Sequence, residues 1–149
     1  VWEIYGDGES KDNVQTMINN YNLNDKLLLK GSVNNLYELY SRYSFLVMTS
    51  RYEGFPMSLL EGLSSGLPLI SFDVLTGPRE IIYHDVNGFL VEPLNAELMI
   101  QSIETLINDK KRRISMSAQS LELSERFRTD NILERWISLF NEILGKGDL

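Results

Sequence analysis

The chain has 149 residues, 43% of them hydrophobic and 23% charged, the balance of one globular domain with a single core. A net charge of −7 argues against nucleic acid as a partner, since such a binder normally presents a basic face, but does not exclude a small anion held by local geometry. The lack of cysteine and the single histidine exclude disulfides, cysteine nucleophiles and multi-histidine metal centres, and no apolar run reaches the ~18–20 residues of a membrane span.

Residues 1–5 read as a strand already under way, as in a domain taken from a longer chain, and Gly6-Asp7-Gly8 ends it. Residues 11–21 carry Val14, Met17, Ile18 and Tyr21 at spacings of three and four, which predicts an amphipathic helix. Leu27-Leu28-Leu29 predicts a second strand, stopped by Gly31. Residues 35–43 predict a helix with Leu36, Leu39, Tyr40 and Tyr43 on one face, and Phe45-Leu46-Val47-Met48 a third strand. Residues 57–65 predict a helix with Leu60 and Leu63 inward, ended by Gly66. A fourth strand over 67–72, a short helix over 78–83, the turn Asp85-Val86-Asn87-Gly88 and a fifth strand over 89–91 complete the alternation.

Beyond Asn95 the pattern is helical. Leu98, Met99, Ile103, Leu106 and Ile107 form one apolar stripe. A broader one, Ile132, Leu133, Trp136, Ile137, Phe140, Ile143 and Leu144, follows Thr129 as its expected cap. That second stripe suits packing on its own domain, or docking on a further domain. Continuous apolar strands alternating with helices predict an α/β fold, a Rossmann-like, doubly wound parallel sheet with C-terminal helices. A sheet with antiparallel members is the alternative.

The segment from Ser50 to Gly62 carries the chemistry. It follows the third strand, so it lies off that strand's carboxyl end, where ligands bind in open α/β sheets. Gly54 permits close approach of backbone to a ligand. Pro56 suits a first helical position, which leaves the N–H groups of Met57, Ser58 and Leu59 free to face a phosphate. Glu53 precedes this helix start, and Glu61 lies roughly 7.5 Å past Pro56 along the axis. Carboxylates accept well from paired hydroxyls, so the order hydroxyls, phosphate, hydroxyls fits a sugar nucleotide. Two carboxylates also repel a diphosphate, and Arg51 is the one cation of the stretch. An ordinary helix with a solvated Glu61 and a turn glutamate fits the geometry equally well.

Glu53-Gly54-Phe55-Pro56, with Glu61 after seven intervening residues, resembles the glutamate pair of glycosyltransferase family 4. Residues 62–70, Gly77-Pro78-Arg79-Glu80-Ile81-Ile82, Asn87-Gly88-Phe89-Leu90-Val91 and Trp2-Glu3-Ile4-Tyr5-Gly6-Asp7-Gly8 resemble further blocks of that family, in order. The resemblance runs to about residue 95, with a looser helical match to 144. It implies one half of a GT-B fold: residues 1–149 as the C-terminal nucleotide-sugar-binding domain, truncated at its N-terminal edge, with the N-terminal acceptor domain outside the chain. By resemblance Glu61 holds the ribose hydroxyls and Glu53, the catalytic candidate, contacts the transferred sugar. The backbone at Gly54, Phe55 and Pro56, and the N–H groups of Met57, Ser58 and Leu59, would face sugar and diphosphate. The Gly31-Ser32-Val33 turn would lie near the base.

The family retains anomeric configuration and needs no bound metal or other cofactor. The resemblance further implies a UDP-linked hexose or N-acetylhexosamine donor and a growing glycan or lipid-linked glycan as acceptor, as in members that build capsule, exopolysaccharide or lipopolysaccharide. It also implies a cytoplasmic location, with peripheral membrane contact by the full-length enzyme. In the family an arginine and a lysine that clamp the diphosphate precede the position of Val1, so these 149 residues alone are expected to bind nucleotide weakly and to transfer nothing. His84 reads as a surface turn residue, Arg79 as a cleft or surface residue, and Lys110-Lys111-Arg112-Arg113 as a solvated helix face or a lipid contact. Tyr37, Tyr40 and Tyr43 read as core or rim packing. The competing functions are a GT-B-like epimerase and a non-catalytic α/β binding module.

Overall fold

The computed structural model describes residues 1–145. The chain divides into two compact units, Val1–Glu38 and the remainder from Leu39.

In the first unit, β1 (Trp2–Tyr5) pairs in parallel with β2 (Leu27–Gly31). Trp2, Glu3 and Ile4 stand opposite Leu27, Leu28 and Leu29, and an irregularity then sets Tyr5 opposite Gly31. Helix α1 (Lys11–Asn20) connects the strands. Of the predicted apolar face only Ile18 is buried; Val14 is half-buried, and Met17 and Tyr21 are exposed. The helix stops at Asn22, which takes a left-handed φ of 54°. The Leu23 N–H then donates to the Ile18 carbonyl at 2.9 Å and so satisfies one of the last carbonyls of the helix.

The second unit holds a three-stranded parallel sheet in the order β3 (Leu46–Met48), β4 (Leu69–Phe72), β5 (Gly88–Val91). The crossovers are α2 (Met57–Ser64) and α3 (Pro78–Ile81). Every strand pair among the described residues is parallel, as the apolar runs predicted. The hydrogen-bonded strands fall into two sets, one in each unit. A 3₁₀ helix over Leu36–Arg42 replaces the predicted longer helix. Tyr37, Tyr40 and Tyr43 recur every three residues, the repeat of a 3₁₀ helix, and Tyr40 is the one carried into the core.

All four residues of β4 are buried. Ile70 and Phe72 join Phe89 and Val91 of β5 in a core with Met99 and Leu106 of α4 (Ala96–Asn108) and Met116 of α5 (Lys110–Ser124). Leu59 and Leu63 of α2 are fully buried as well, while Leu60, expected inward, is only half-buried. Helix α2 sits so close to the sheet that a Cβ on Gly62 would come within 3.0 Å of Leu46 Cδ2 and 3.1 Å of Leu69 Cδ2. Gly66, at φ 73°, ends it, and the Leu67 N–H bonds back to the Gly62 carbonyl at 2.9 Å. Ser120, buried in α5, donates to the Leu67 carbonyl at 2.8 Å. Asn87, also buried, holds its turn by accepting from the Tyr83 N–H at 2.7 Å and donating to the Ile81 carbonyl at 3.1 Å.

His84 is an exposed turn residue whose Nδ1 accepts from the Leu90 N–H at 3.2 Å. The basic run divides. Arg112 pairs with Asp85 and lies 5.0 Å over the Phe89 ring, and Arg113 donates to the carbonyls of Leu106 and Ile107 at the end of α4. Lys110 and Lys111 remain solvated. Asn95 and Asp109 cap α4 and α5 by accepting from Leu98 and Arg112 N–H groups.

After a short 3₁₀ turn, Glu125–Phe127, helix α6 (Thr129–Leu144) begins. Its cap position is Arg128 rather than Thr129, which is already helical, and no side chain caps it. The broad stripe does not pack on its own domain. Leu133, Trp136, Ile137, Phe140, Ile143 and Leu144 are all exposed, and Trp136 and Phe140 stack on each other at 5.6 Å. Ile132 alone of the stripe is half-buried. Among the described residues no helix is long and apolar enough to cross a membrane.

The tightest approach in the sheet lies between β4 and β5, where a Cβ on Gly88 would stand 1.8 Å from the Leu69 carbonyl oxygen. Gly88→Ala should therefore destabilise the protein by about 3 kcal/mol or more, as overpacking against backbone does. Gly8→Ala, at a site with nothing within 4 Å, should change little. Chemical denaturation of both variants checks the contrast.

Candidate functional site

The site is built at the carboxyl ends of β3 and β4. Beyond Met48 the chain runs as loop until Met57 opens α2. Pro56 is the cap residue of α2, extended at φ −78° and ψ 93°, rather than its first helical residue as the sequence suggested. A tight first turn, rather than the shift itself, decides which donors are free. The Pro56 carbonyl accepts from the Leu59 N–H at 3.0 Å and from the Leu60 N–H at 3.2 Å. Leu59, a sequence candidate, is thus committed through its backbone and fully buried through its side chain. The N–H groups of Met57 and Ser58 make no hydrogen bond among the described residues, and both residues are exposed. They are the two donors this helix start offers an anion.

The loop before α2 is braced from the β4–α3 connection. Thr76 Oγ1 donates to the Glu53 carbonyl. Gly77, at φ 95°, lies so close that a Cβ there would fall 2.3 Å from Pro56 Cδ and 3.4 Å from the Gly54 carbonyl oxygen. The Phe55 ring, 40% exposed, meets the Phe127 ring at 6.1 Å. Glu53, Gly54, Phe55 and Pro56 are therefore held in place from a segment more than twenty residues away. Sequence reasoning did not anticipate this brace, though the glycine before Pro78 was its visible sign.

Glu61 is half-buried on α2. Its Oε2 accepts from the Tyr40 hydroxyl at 3.0 Å. Burial, and then the adjacent carboxylate, push the Tyr40 phenol above its ordinary value, so it stays protonated and donating across the physiological range. Tyr40 had been read only as packing. Ser58 Oγ lies 3.9 Å from Met48 Sδ, which ties the helix start to the end of β3.

Arg79 is not a free cation. Its Nε and Nη2 reach the two Asp73 oxygens at 2.5 and 2.7 Å. That bond, and then the Asp73 charge, hold its guanidinium more firmly protonated than usual. Arg51 is exposed. Among the described residues no three His, Asp or Glu side chains cluster as a metal site would need.

Glu53, Gly54, Phe55, Pro56, Met57, Ser58, Leu59 and Glu61 all belong to the second unit, in one loop and helix. Gly31, Ser32 and Val33 belong to the first. There Gly31, at φ 70°, closes β2 and accepts from the Gly6 N–H at 2.9 Å, and Ser32 and Val33 are exposed.

Residues 2–122 match the family described as glycosyl transferases group 1. The chain belongs to that family. Among its relatives are the exopolysaccharide phosphotransferase SCO2592 of Streptomyces coelicolor, 34% identical over 97% of the chain, and the poly(ribitol-phosphate) alpha-N-acetylglucosaminyltransferase of Staphylococcus aureus, 33% identical over 94%. The chain spans 16% and 29% of these relatives' own lengths. A crystal structure of S. aureus TarM, in complex with fondaparinux, alpha-GlcNAc-glycerol and UDP, superposes on 93% of the chain with a TM-score of 0.86 and 34% identity, and the match covers 28% of TarM. This likeness to a glycosyl transferases group 1 architecture bears out the α/β fold read from the strand–helix alternation.

Gly77→Ala tests the brace. The new Cβ meets Pro56 and takes a backbone conformation unfavourable to any side chain, so stability should fall by about 1–3 kcal/mol. Limited proteolysis should cut the Arg51–Phe55 stretch faster than in the parent. Unchanged cleavage would mean that the loop holds its shape without Gly77.

Proposed function

We propose that these residues are the C-terminal, donor-binding domain of a longer retaining glycosyltransferase. The full-length protein transfers a hexose or N-acetylhexosamine from a nucleotide diphosphate sugar, UDP-linked, to a growing surface glycan. The observation that carries this reading is the pair Glu53 and Glu61 on either side of a helix start with two open N–H donors. A diphosphate fits that start, since the N–H groups and the helix dipole favour negative charge. Glu61 then accepts from the ribose hydroxyls and Glu53 faces the transferred sugar, with Gly54, Phe55 and Pro56 shaping the approach. Gly31, Ser32 and Val33 serve the base. As the bond to the anomeric carbon breaks, charge grows on the diphosphate, and fixed donors stabilise it there without a bound metal. Membership of the glycosyl transferases group 1 family and the UDP held by TarM support the reading.

Two open N–H groups and Arg51 are modest compensation for two carboxylates, and Arg79 is already paired. The diphosphate therefore draws further cations from outside these residues, and these residues alone bind weakly and transfer nothing. The exposed Trp136/Phe140 face of α6 docks on the N-terminal acceptor domain of the longer protein. The full-length enzyme works in the cytoplasm, at the inner face of the membrane, on a glycan or lipid-linked glycan.

Calorimetry with UDP, GDP, ADP and their sugars tests the donor site in the full-length protein. Glu61→Ala should weaken UDP binding by about 1–3 kcal/mol, the cost of leaving buried hydrogen-bonding groups unpaired. A folded protein that binds none of these nucleotides would sink the reading.

The 34% identity to an exopolysaccharide phosphotransferase favours a second reading, transfer of a sugar phosphate. The products separate the two. Glycosyl transfer from a UDP-sugar breaks the bond between the anomeric carbon and oxygen and releases UDP. Phosphotransfer breaks the bond between the two phosphates and releases UMP. Release of UDP is the expected outcome.

A further inference from the structure

A carboxylate on a helix surface is a poor template for a diol unless something fixes its plane. Glu61 has three rotatable side-chain bonds, and each of its oxygens can face either solvent or protein. Tyr40 removes that freedom. Its side chain is buried, 2% exposed, on a 3₁₀ turn whose next residues lead directly into β3. Its hydroxyl donates to Oε2 of Glu61 at 3.0 Å, across 21 residues of sequence. Oε1 makes no hydrogen bond among the described residues and stays available. A phenol has one proton to give, and a carboxylate oxygen accepts along two directions, so even Oε2 retains one.

Resting on the assignment of Glu61 to the ribose, we propose that Tyr40 is a positioning residue that presets the Glu61 carboxylate to receive the ribose diol of a nucleoside diphosphate. Tyr40 does not touch the nucleotide. It lowers the cost of binding by fixing, before the ligand arrives, a side chain that would otherwise lose its rotamer freedom on binding. The phenol is neutral and donates to the carboxylate, so the device leaves the negative charge of Glu61 in place for the two hydroxyls.

The test measures the affinity of the full-length protein, of Tyr40→Phe, of Glu61→Gln and of the double variant for UDP and for 2′,3′-dideoxy-UDP. Tyr40→Phe should weaken UDP by roughly three- to tenfold, the range set by immobilising one side chain, and leave dideoxy-UDP unchanged. The double variant should be no weaker than Glu61→Gln alone. Equal weakening of both nucleotides by Tyr40→Phe, or full additivity in the double variant, overturns the proposal and makes Tyr40 structural. If Glu61→Gln discriminates UDP from dideoxy-UDP as well as the parent does, the ribose assignment itself fails, and the proposal falls with it for that separate reason. A readout free of any folding defect in Tyr40→Phe is 3-fluorotyrosine placed at position 40. Its fluorine resonance should move on adding UDP and stay still with dideoxy-UDP, and the reverse pattern or no movement with either counts against the proposal.

Discussion

Strand β4 is buried along its whole length, and the second unit is arranged around that fact. A strand covered on both faces needs layers on both sides. Helices α4 and α5 cover Ile70 and Phe72, and α2 approaches Leu69 through Gly62. Neighbouring strands can then pair only by their edges, and β5 does so at a distance that admits no side chain at Gly88. The loops at the carboxyl ends of β3 and β4 are left as the free rim of a rigid block. Glu53 stands on that rim and Glu61 on the helix that follows it, so their positions follow from packing in the sheet beneath.

The same rim explains how a loop of several residues keeps one shape. Glu53 to Pro56 has little secondary structure of its own. It is held by Thr76, by the close fit of Gly77 and by the Phe55–Phe127 contact. Two of these supports come from the β4–α3 connection and the third from the turn before α6, and together they exchange the loop's freedom for order before any ligand arrives. Glu61 is set in the same way by Tyr40. The Glu53 backbone and the Glu61 carboxylate are therefore each held by a residue outside the motif that contains them.

Much of this was legible in the sequence, and what was not has a physical reason. Apolar runs such as Leu69–Phe72 announce buried parallel strands, and an ordered series of short motifs announces the family, because both are local properties. The end of α2 was legible too, since Gly66 supplies the left-handed residue that a helix terminus uses. The start of α2 was misplaced by one residue. Proline suits a first helical residue, yet here it stands as the cap, and a tight bond from the Leu59 N–H back to the Pro56 carbonyl took that donor out of the free set. The 35–43 helix was misjudged in type, since a three-residue tyrosine repeat also satisfies an α-helical face over so short a span. Tyr40 and Glu61, and likewise Thr76 and Glu53, meet only in the folded chain. The α6 stripe shows the converse: its periodicity gave the helix and its apolar face correctly, while among the described residues that face is exposed.

Gly62 and Gly88 both lack room for a methyl group, yet they set different evolutionary rules. At Gly62 the obstacle is the tips of two leucine side chains, Leu46 and Leu69. Smaller residues at positions 46 and 69, or a small shift of the two leucine tips, would admit alanine at 62, so these positions can drift as a correlated set. At Gly88 the obstacle is the main chain of Leu69, which every amino acid shares. No substitution elsewhere removes it. Beside Glu61, then, the fold leaves a negotiable position, and on the neighbouring strand it leaves one that mutation can only lose.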